Sequence, residues 1–152
     1  PGLFEVLERI GSDFEANDVC PIVPFPTLEV RQPEDLFVEY ERLLNGAWRV
    51  DPRDVIYAAE NDPLDIYRTL IRISRERREV FESIGPSEIV LTPMGSKVVA
   101  LGALMAALED SLSVRYIEAR DYDESFFPGE QEYERMSIWL HGGPQWEAPG
   151  AP

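Results

Sequence analysis

Gly95, Ser96 and Lys97 follow a short apolar run, Glu88 to Thr92, and precede a long apolar segment that begins at Val98. A turn of this kind between a strand and a helix frees backbone N–H groups at the helix start, where the helix dipole adds to their attraction for an anion. A phosphate suits the place. Lys97 sharpens the expectation, because it is the one lysine against 13 arginines. It also stands at a helix start, where the dipole disfavours a cation by up to about 1 kcal/mol. A bound anion would offset that penalty. The plainer alternative is that Lys97 extends into solvent or pairs with one of the many carboxylates.

Glu60 and Asn61 end a second strand-like run and give a second candidate contact, since an acidic residue after such a strand can hold a ribose hydroxyl. Asp62-Pro63 beside them is explained by helix capping alone. Arg68, Arg72 and Arg75 share one helix face and could clamp a polyanion, although a salt-bridged, solvated face is the expectation in a chain with 29 acidic residues. His141 has no nucleophile or orienting group identified by spacing. Ser96 lacks the Gly-x-Ser-x-Gly surroundings of a nucleophile elbow, and Cys20 sits in a strand-like run and reads as core. No catalytic residue is assigned. The dinucleotide fingerprint and the longer Gly-rich Walker turn are both absent. One histidine and one cysteine leave no zinc cluster, and no cofactor is implied.

The elements that must position the turn are legible from periodicity and punctuation. Leu3 to Ile10 carries helical spacing. Val19 to Val23 reads as a strand that Pro21 and Pro24 keep short or at an edge, and Val30 to Pro33 as a weak further strand. Pro33-Glu34-Asp35 opens a helix with Leu36, Phe37, Tyr40, Leu43 and Leu44 on one face, ending near Asn45-Gly46. Asp54 to Ala59 reads as a buried strand. Asp62, Pro63 and Asp65 open a helix that runs to about Ser83. After the Glu88 to Thr92 strand, the helix Val98 to Glu109 is apolar or small on every side and is expected to be the most buried one. Val114 to Glu118 and Ser137 to Leu140 read as strands, and the residues from Gly142 onward as a loose Gly/Pro-rich tail.

This alternation predicts an α/β fold with a Rossmann-like open, mainly parallel sheet and helices on both faces, as a single domain over 1–141. In such sheets ligands collect at the carboxyl ends of the strands. The apolar fraction of 44% and charged fraction of 28% are ordinary for a folded chain. The longest apolar run, Val98 to Leu108, is about half the length of a membrane span, and a single cysteine fits a reducing compartment, so a cytoplasmic location is expected. The chain opens on Pro1 without a leader pattern, from which excision out of a longer protein is expected. A formal charge of −15 opposes general DNA or RNA binding.

The run Ile89-Val90-Leu91-Thr92-Pro93-Met94-Gly95-Ser96-Lys97, with the Ala-rich helix and Val114-Arg115-Tyr116 after it, resembles the strand-turn-helix of CRISPR-associated Rossmann-fold (CARF) ligand sensors. Members carry a Thr-Gly-Gly-Thr-Lys-type turn here and bind cyclic oligoadenylates across a homodimer. The resemblance covers about thirty residues. It implies ligand contact at Thr92, Gly95, Ser96 and Lys97, and a homodimer. This chain differs in having Pro93-Met94 before a single glycine.

The expected function is that of a non-catalytic regulatory domain binding a phosphorylated small molecule, a cyclic or linear nucleotide, at Thr92 to Lys97. Two alternatives come from other classes. One is an enzyme acting on a nucleotide or sugar phosphate, with Glu60, Glu118 or His141 supplying acid-base work. The other is a structural module docking its acidic surface onto a basic protein.

Overall fold

The computed structural model of the chain describes residues 18–27, 32–85, 87–116 and 138. By its internal contacts the chain divides into two units, Pro1–Glu118 and Ala119–Pro152. In the second, Ile138 is half-buried and in no regular element. The elements below belong to the first unit. The expected helix over 3–10, residues 137, 139 and 140 of the expected strand over 137–140 with its neighbour His141, the tail from 142, and Glu118 lie outside the described residues.

Two features of the sequence start the fold: short β-branched runs, and proline or aspartate at the places where helices must begin. β1 (Ile22–Pro24) pairs in parallel with β2 (Ile56–Ala58), in the register Ile22 to Ile56 and Pro24 to Ala58. The Ile56 N–H donates to the Pro21 carbonyl at 2.9 Å and the Phe25 N–H to the Ala58 carbonyl at 2.7 Å, so the ladder extends one bond beyond each end. Pro21 and Pro24 have no N–H to give, which keeps β1 at three residues.

Between these strands lies α1 (Gln32–Glu41), which continues as a π-helical turn over Arg42–Ala47. Gln32 and Pro33 are therefore helical, and the weak strand expected to end at Pro33 is corrected at those two residues. Leu43, on the expected apolar face, is fully buried. The helix widens over its last turn and ends at Ala47, near the expected Asn45-Gly46; the Trp48 N–H reaches back to the Leu43 carbonyl at 2.8 Å. A single 3₁₀ turn, Pro52–Asp54, follows, capped by Asp51, whose carboxylate the Arg53 side chain holds down to a pKa of about 2.

β2 is shorter than the expected Asp54 to Ala59, because Asp54 is used by that turn. It is also not buried on both faces. Ala58 is buried whereas Tyr57 is half exposed, packed edge-on against Phe25 with ring centroids 6.1 Å apart. Alternation of side chains along a strand places them on opposite faces.

α2 (Pro63–Phe81) follows the expected start, with Asp62 as its cap and Pro63 in its first turn. β3 (Val90–Leu91) then pairs in parallel with β4 (Ser113–Val114), separated in sequence by α3 (Lys97–Asp110). The chain is thus mixed α/β, with short parallel strands in two small sheets.

One core serves both sheets. Ala58 of β2 and Leu91 of β3 belong to the same buried cluster as Ile66, Leu70 and Ile71 of α2 and Ala103, Ala106 and Ala107 of α3. α2 and α3 run side by side in the same direction. Gly102 lies against Pro63 and Ile66 near the start of α2, and the α3 end reaches Arg75 and Arg78 further along. That arrangement follows when successive helices each return the chain to a parallel strand.

The expectation that α3 is the most buried helix is overturned. α2 buries seven residues and α3 four, and Leu104 and Leu108 are 50% and 73% exposed. Among the described residues nothing covers the outer face of α3, so its apolar character all round does not translate into burial all round. No helix among the described residues is long and apolar enough to cross a membrane.

Polar contacts fix the helix pair at its far end. The Tyr67 hydroxyl donates to Glu109, and Glu109 also pairs with Arg75 at 3.7 Å. Arg78 reaches the Asp110 carboxylate at 3.2 Å and its backbone carbonyl at 2.7 Å. At the other side of α2, Arg77 donates to the Cys20 sulfur at 3.1 Å, lies 3.6 Å from both Asp18 and Asp54, and stacks over Phe81. It joins the helix to the amino ends of β1 and β2. Burial raises the Cys20 thiol above its ordinary pKa against the pull of Arg77, which keeps it protonated and inert.

Two outcomes are expected. A Cβ at Gly102 would overlap the Pro63 carbonyl oxygen and sit 2.7 Å from Ile66 Cβ. Helix propensity favours Gly102→Ala by about 1 kcal/mol, but overlap with a backbone oxygen that cannot turn aside costs about 1–3 kcal/mol. Urea unfolding of this variant should show a net loss of stability, and a net gain would refute the close approach. Burial, then the hydrogen bond to Glu109, pushes the Tyr67 phenol up to about 12. Its folded value lies above the unfolded one of about 10, so its contribution is complete below about pH 10 and is lost as pH rises through about 12. Alkaline titration of wild type against Tyr67→Phe should show their stability difference, about 1–2 kcal/mol at neutral pH, shrinking across that window.

Candidate functional site

Each parallel pair presents a carboxyl edge, and each edge leads into a helix. The two edges are electrostatically opposite.

At the β2 edge the chain fills the helix start with its own carboxylates. Asp62 accepts from the Leu64 N–H at 2.9 Å, and Asp65 reaches back to accept from the Ala59 N–H at 2.7 Å, pinning the end of the strand to the first turn of α2. The Glu60 N–H donates to the Pro26 carbonyl at 3.3 Å, which joins the two strand exits. One Glu60 carboxylate oxygen is buried without a partner among the described residues, and Asn61 is exposed. Three carboxylates, on Glu60, Asp62 and Asp65, gather within six residues here. A phosphate would meet like charge.

At the β3 edge no acidic residue occupies the first turn of α3. Leu91 is buried, Thr92, Pro93 and Met94 are half-buried, and Gly95 is exposed. Gly95 adopts φ +102°, with nothing within 4 Å of the position a Cβ would take. This is a conformation L side chains avoid, so glycine is required by the backbone and not by crowding. Ser96 then turns extended, and its hydroxyl accepts from the Val99 N–H at 3.3 Å.

Ser96 is therefore the helix cap, the role a serine before an apolar helix takes by ordinary capping chemistry. Its expected contact with a ligand is left to the hydroxyl hydrogen. The Ser96 carbonyl accepts from the Ala100 N–H at 3.1 Å. Of the N–H groups that a helix start leaves without internal partners, those of Lys97 and Val98 have no acceptor among the described residues. The Lys97 side chain is exposed and forms no ion pair among them.

A residue that spacing alone did not single out lies alongside. Leu91 faces Val114 in the β3–β4 register, and the Arg115 N–H donates to the Leu91 carbonyl at 2.7 Å, so Arg115 stands at the same carboxyl edge as Thr92. The signal for it was the strand register, which no local spacing encodes. Thr92, Gly95, Ser96 and Lys97 thus form one continuous turn. Glu60 and Asn61 belong to the other strand pair, and among the described residues no hydrogen bond or ion pair joins the two groups.

Two concavities lie elsewhere. One of about 140 Å³, lined by Arg78, Glu88 and Ser113 among others, is at the amino end of the β3–β4 pair, where the Ser113 hydroxyl donates to Glu88. A shallow apolar groove of about 450 Å³ runs between α1 and β2, past Phe37, Val38 and Tyr57. Neither includes the turn. Backbone recognition of an anion uses N–H groups at an open edge and requires no deep cavity.

Among the described residues no group of three or more His, Cys, Asp or Glu side chains is placed to hold a metal ion. Arg72 pairs with Glu76 at 3.7 Å and Arg75 with Glu109, so two of the three helix-face arginines are engaged within the chain. No protein-family model matches this chain, and no curated protein matches it significantly.

The Asp65 tie gives a direct check on how the β2 edge is held. Asp65→Ala should leave the Ala59 N–H without its acceptor and lower stability by about 1–2 kcal/mol. Hydrogen exchange should speed up at Ala59, whereas unchanged exchange there would remove the tie.

Proposed function

We propose that this chain is a non-catalytic regulatory domain that binds a phosphorylated small molecule, a linear or cyclic nucleotide, at the turn Thr92 to Lys97. The observation that carries the reading is the contrast between the two helix starts. The α2 start carries Asp62 and Asp65, whereas the α3 start has N–H groups at Lys97 and Val98 with no acceptor among the described residues, no acid in its first turn, and the one lysine of the chain.

The framework of the proposal is an open, mainly parallel Rossmann-like sheet. It is supported by the parallel sense of both strand pairs, the shared core, and the parallel helices. In such a sheet the carboxyl edge is where ligands bind. The CARF-like character of residues 89–116 belongs to the same proposal, as does a cytoplasmic location. Fold likeness does not by itself specify a ligand, so the phosphate is argued from the turn. The Lys97 and Val98 N–H groups would meet its oxygens, Gly95 would let the backbone approach, and Lys97 would neutralise charge. Arg115 adds positive potential at the same edge.

A thermal-shift screen of the chain against nucleoside mono-, di- and triphosphates, cyclic oligonucleotides and sugar phosphates tests this. A ligand at about 100 times its dissociation constant should stabilise wild type by about 2.7 kcal/mol, and Lys97→Ala, folded as well as wild type, should lose most of that shift. A hit that Lys97→Ala retains in full, or silence from the whole panel, would dismiss the turn as the site.

A further inference from the structure

β2 leaves one edge of the β1–β2 pair open. The Ile56 N–H donates to the Pro21 carbonyl and the Ala58 carbonyl accepts from the Phe25 N–H, so Ile56 and Ala58 direct their backbone groups at β1. Along a strand these directions alternate from residue to residue. Tyr57, between them, therefore directs its N–H and its C=O away from β1, and among the described residues neither group has a partner. Unpaired groups on an edge strand are a template for a further strand. One end of the edge is closed, where the Asp65 carboxylate takes the Ala59 N–H at 2.7 Å.

The groove of about 450 Å³ runs beside this edge. Its apolar walls are Phe37, Val38 and Leu44 of α1 and its π-helical turn, and Val55 and Tyr57 of the β2 segment; Glu41 is the one charged residue in the lining. Val23 and Tyr57 are register partners on the face opposite the core residue Ala58, yet Val23 is 8% exposed and Tyr57 51%. The cover on that face thus falls over β1 and stops short of the β2 edge.

We infer that the β2 edge and the groove together receive an extended basic segment of another protein, which adds to the pair as a strand beyond β2. Main-chain groups of such a segment pair with Tyr57, and every second side chain enters the groove. Those side chains are apolar and β-branched, which suits both the walls and an extended backbone. Lys or Arg residues flank them, because Glu41 is the groove's own charge and a formal charge of −15 attracts a cationic segment. The added strand is short, since the 3₁₀ turn Pro52–Asp54 precedes Val55 and Asp65 closes the edge at Ala59. With α1 on the groove face and α2 on the Ala58 face, right-handed crossovers carry β3 to the far side of β1 and leave β2 outermost. That strand order belongs to the open sheet proposed above, whereas the open edge at Tyr57 is independent of what the Gly95 turn binds.

Amide hydrogen exchange of the full chain, alone and with a synthetic peptide, tests this. The probe is about nine residues long, valines alternating with threonines and lysines at both ends. In the free chain the Tyr57 amide should exchange faster than those of Ile56 and Ala58, and saturating peptide should slow it by more than about tenfold. Of two peptides methylated on the backbone nitrogens of either the valines or the threonines, the one whose blocked nitrogens face β2 should bind more than about tenfold more weakly than the other. Val38→Lys, at a position 75% exposed, should weaken binding of the unmethylated peptide by about tenfold and leave circular dichroism unchanged. No slowing at about 1 mM peptide overturns the inference. So does equal binding by the two methylated peptides, or undiminished binding by Val38→Lys. A Tyr57 amide already protected in the free chain also overturns it: protection at every concentration would assign the edge to another segment of this chain, and protection only in concentrated samples to a second copy.

Discussion

The absence of a side chain at Gly102 sets the distance between α2 and α3, and most of the architecture follows from that distance. With hydrogen at this position α3 lies directly on the Pro63 carbonyl and Ile66, and the small residues Ala103, Ala106 and Ala107 continue the contact into the core. Close-packed interiors do not absorb an added methyl by even spreading. Since α2 leaves β2 and α3 leaves β3, bringing the helices together brings Ala58 and Leu91 under one apolar layer. The polar ties at Glu109 and Asp110 fix the far end of the pair, so its direction is set at both ends.

Those helices bring two strand exits to different electrostatic fates. Aspartate at a helix start can satisfy backbone N–H groups and complement the dipole; at α2 Asp62 accepts from the Leu64 N–H, and Asp65 adds a first-turn negative charge while its carboxylate accepts from the Ala59 N–H. α3 is capped by a neutral serine and opens with a lysine, so its start stays positive. In a chain with 29 acidic residues, the first turn of α3 has none. This contrast is the physical basis for placing an anion at Gly95 to Lys97 and for treating Glu60 as part of a structural corner.

Much of this was legible in the residues. Asp62-Pro63 marked the α2 start, Gly95-Ser96 marked the turn, and Pro21 and Pro24 kept β1 short, because each acts through its own backbone chemistry. What was not legible depends on partners distant in sequence. The burial of α3 could not be read from its composition, since Leu104 and Leu108 look like core until the surrounding elements are known. Tyr57 looked buried for the same reason. Arg77, which meets Asp18, Cys20 and Asp54, sat in a charge-rich run with nothing local to distinguish it. The capping bond that Ser96 accepts from the Val99 N–H competes with the ligand role that its place in the turn suggests.

Backbone amide NMR during titration with inorganic phosphate, and then with a nucleoside triphosphate, tests the contrast between the helix starts most directly. The expected result is saturable shifts at Gly95, Ser96, Lys97 and Val98, with Leu64 and Asp65 unmoved because carboxylates already occupy that start. Shifts of equal size at both helix starts, or none at Gly95 to Val98 at millimolar ligand, would contradict it.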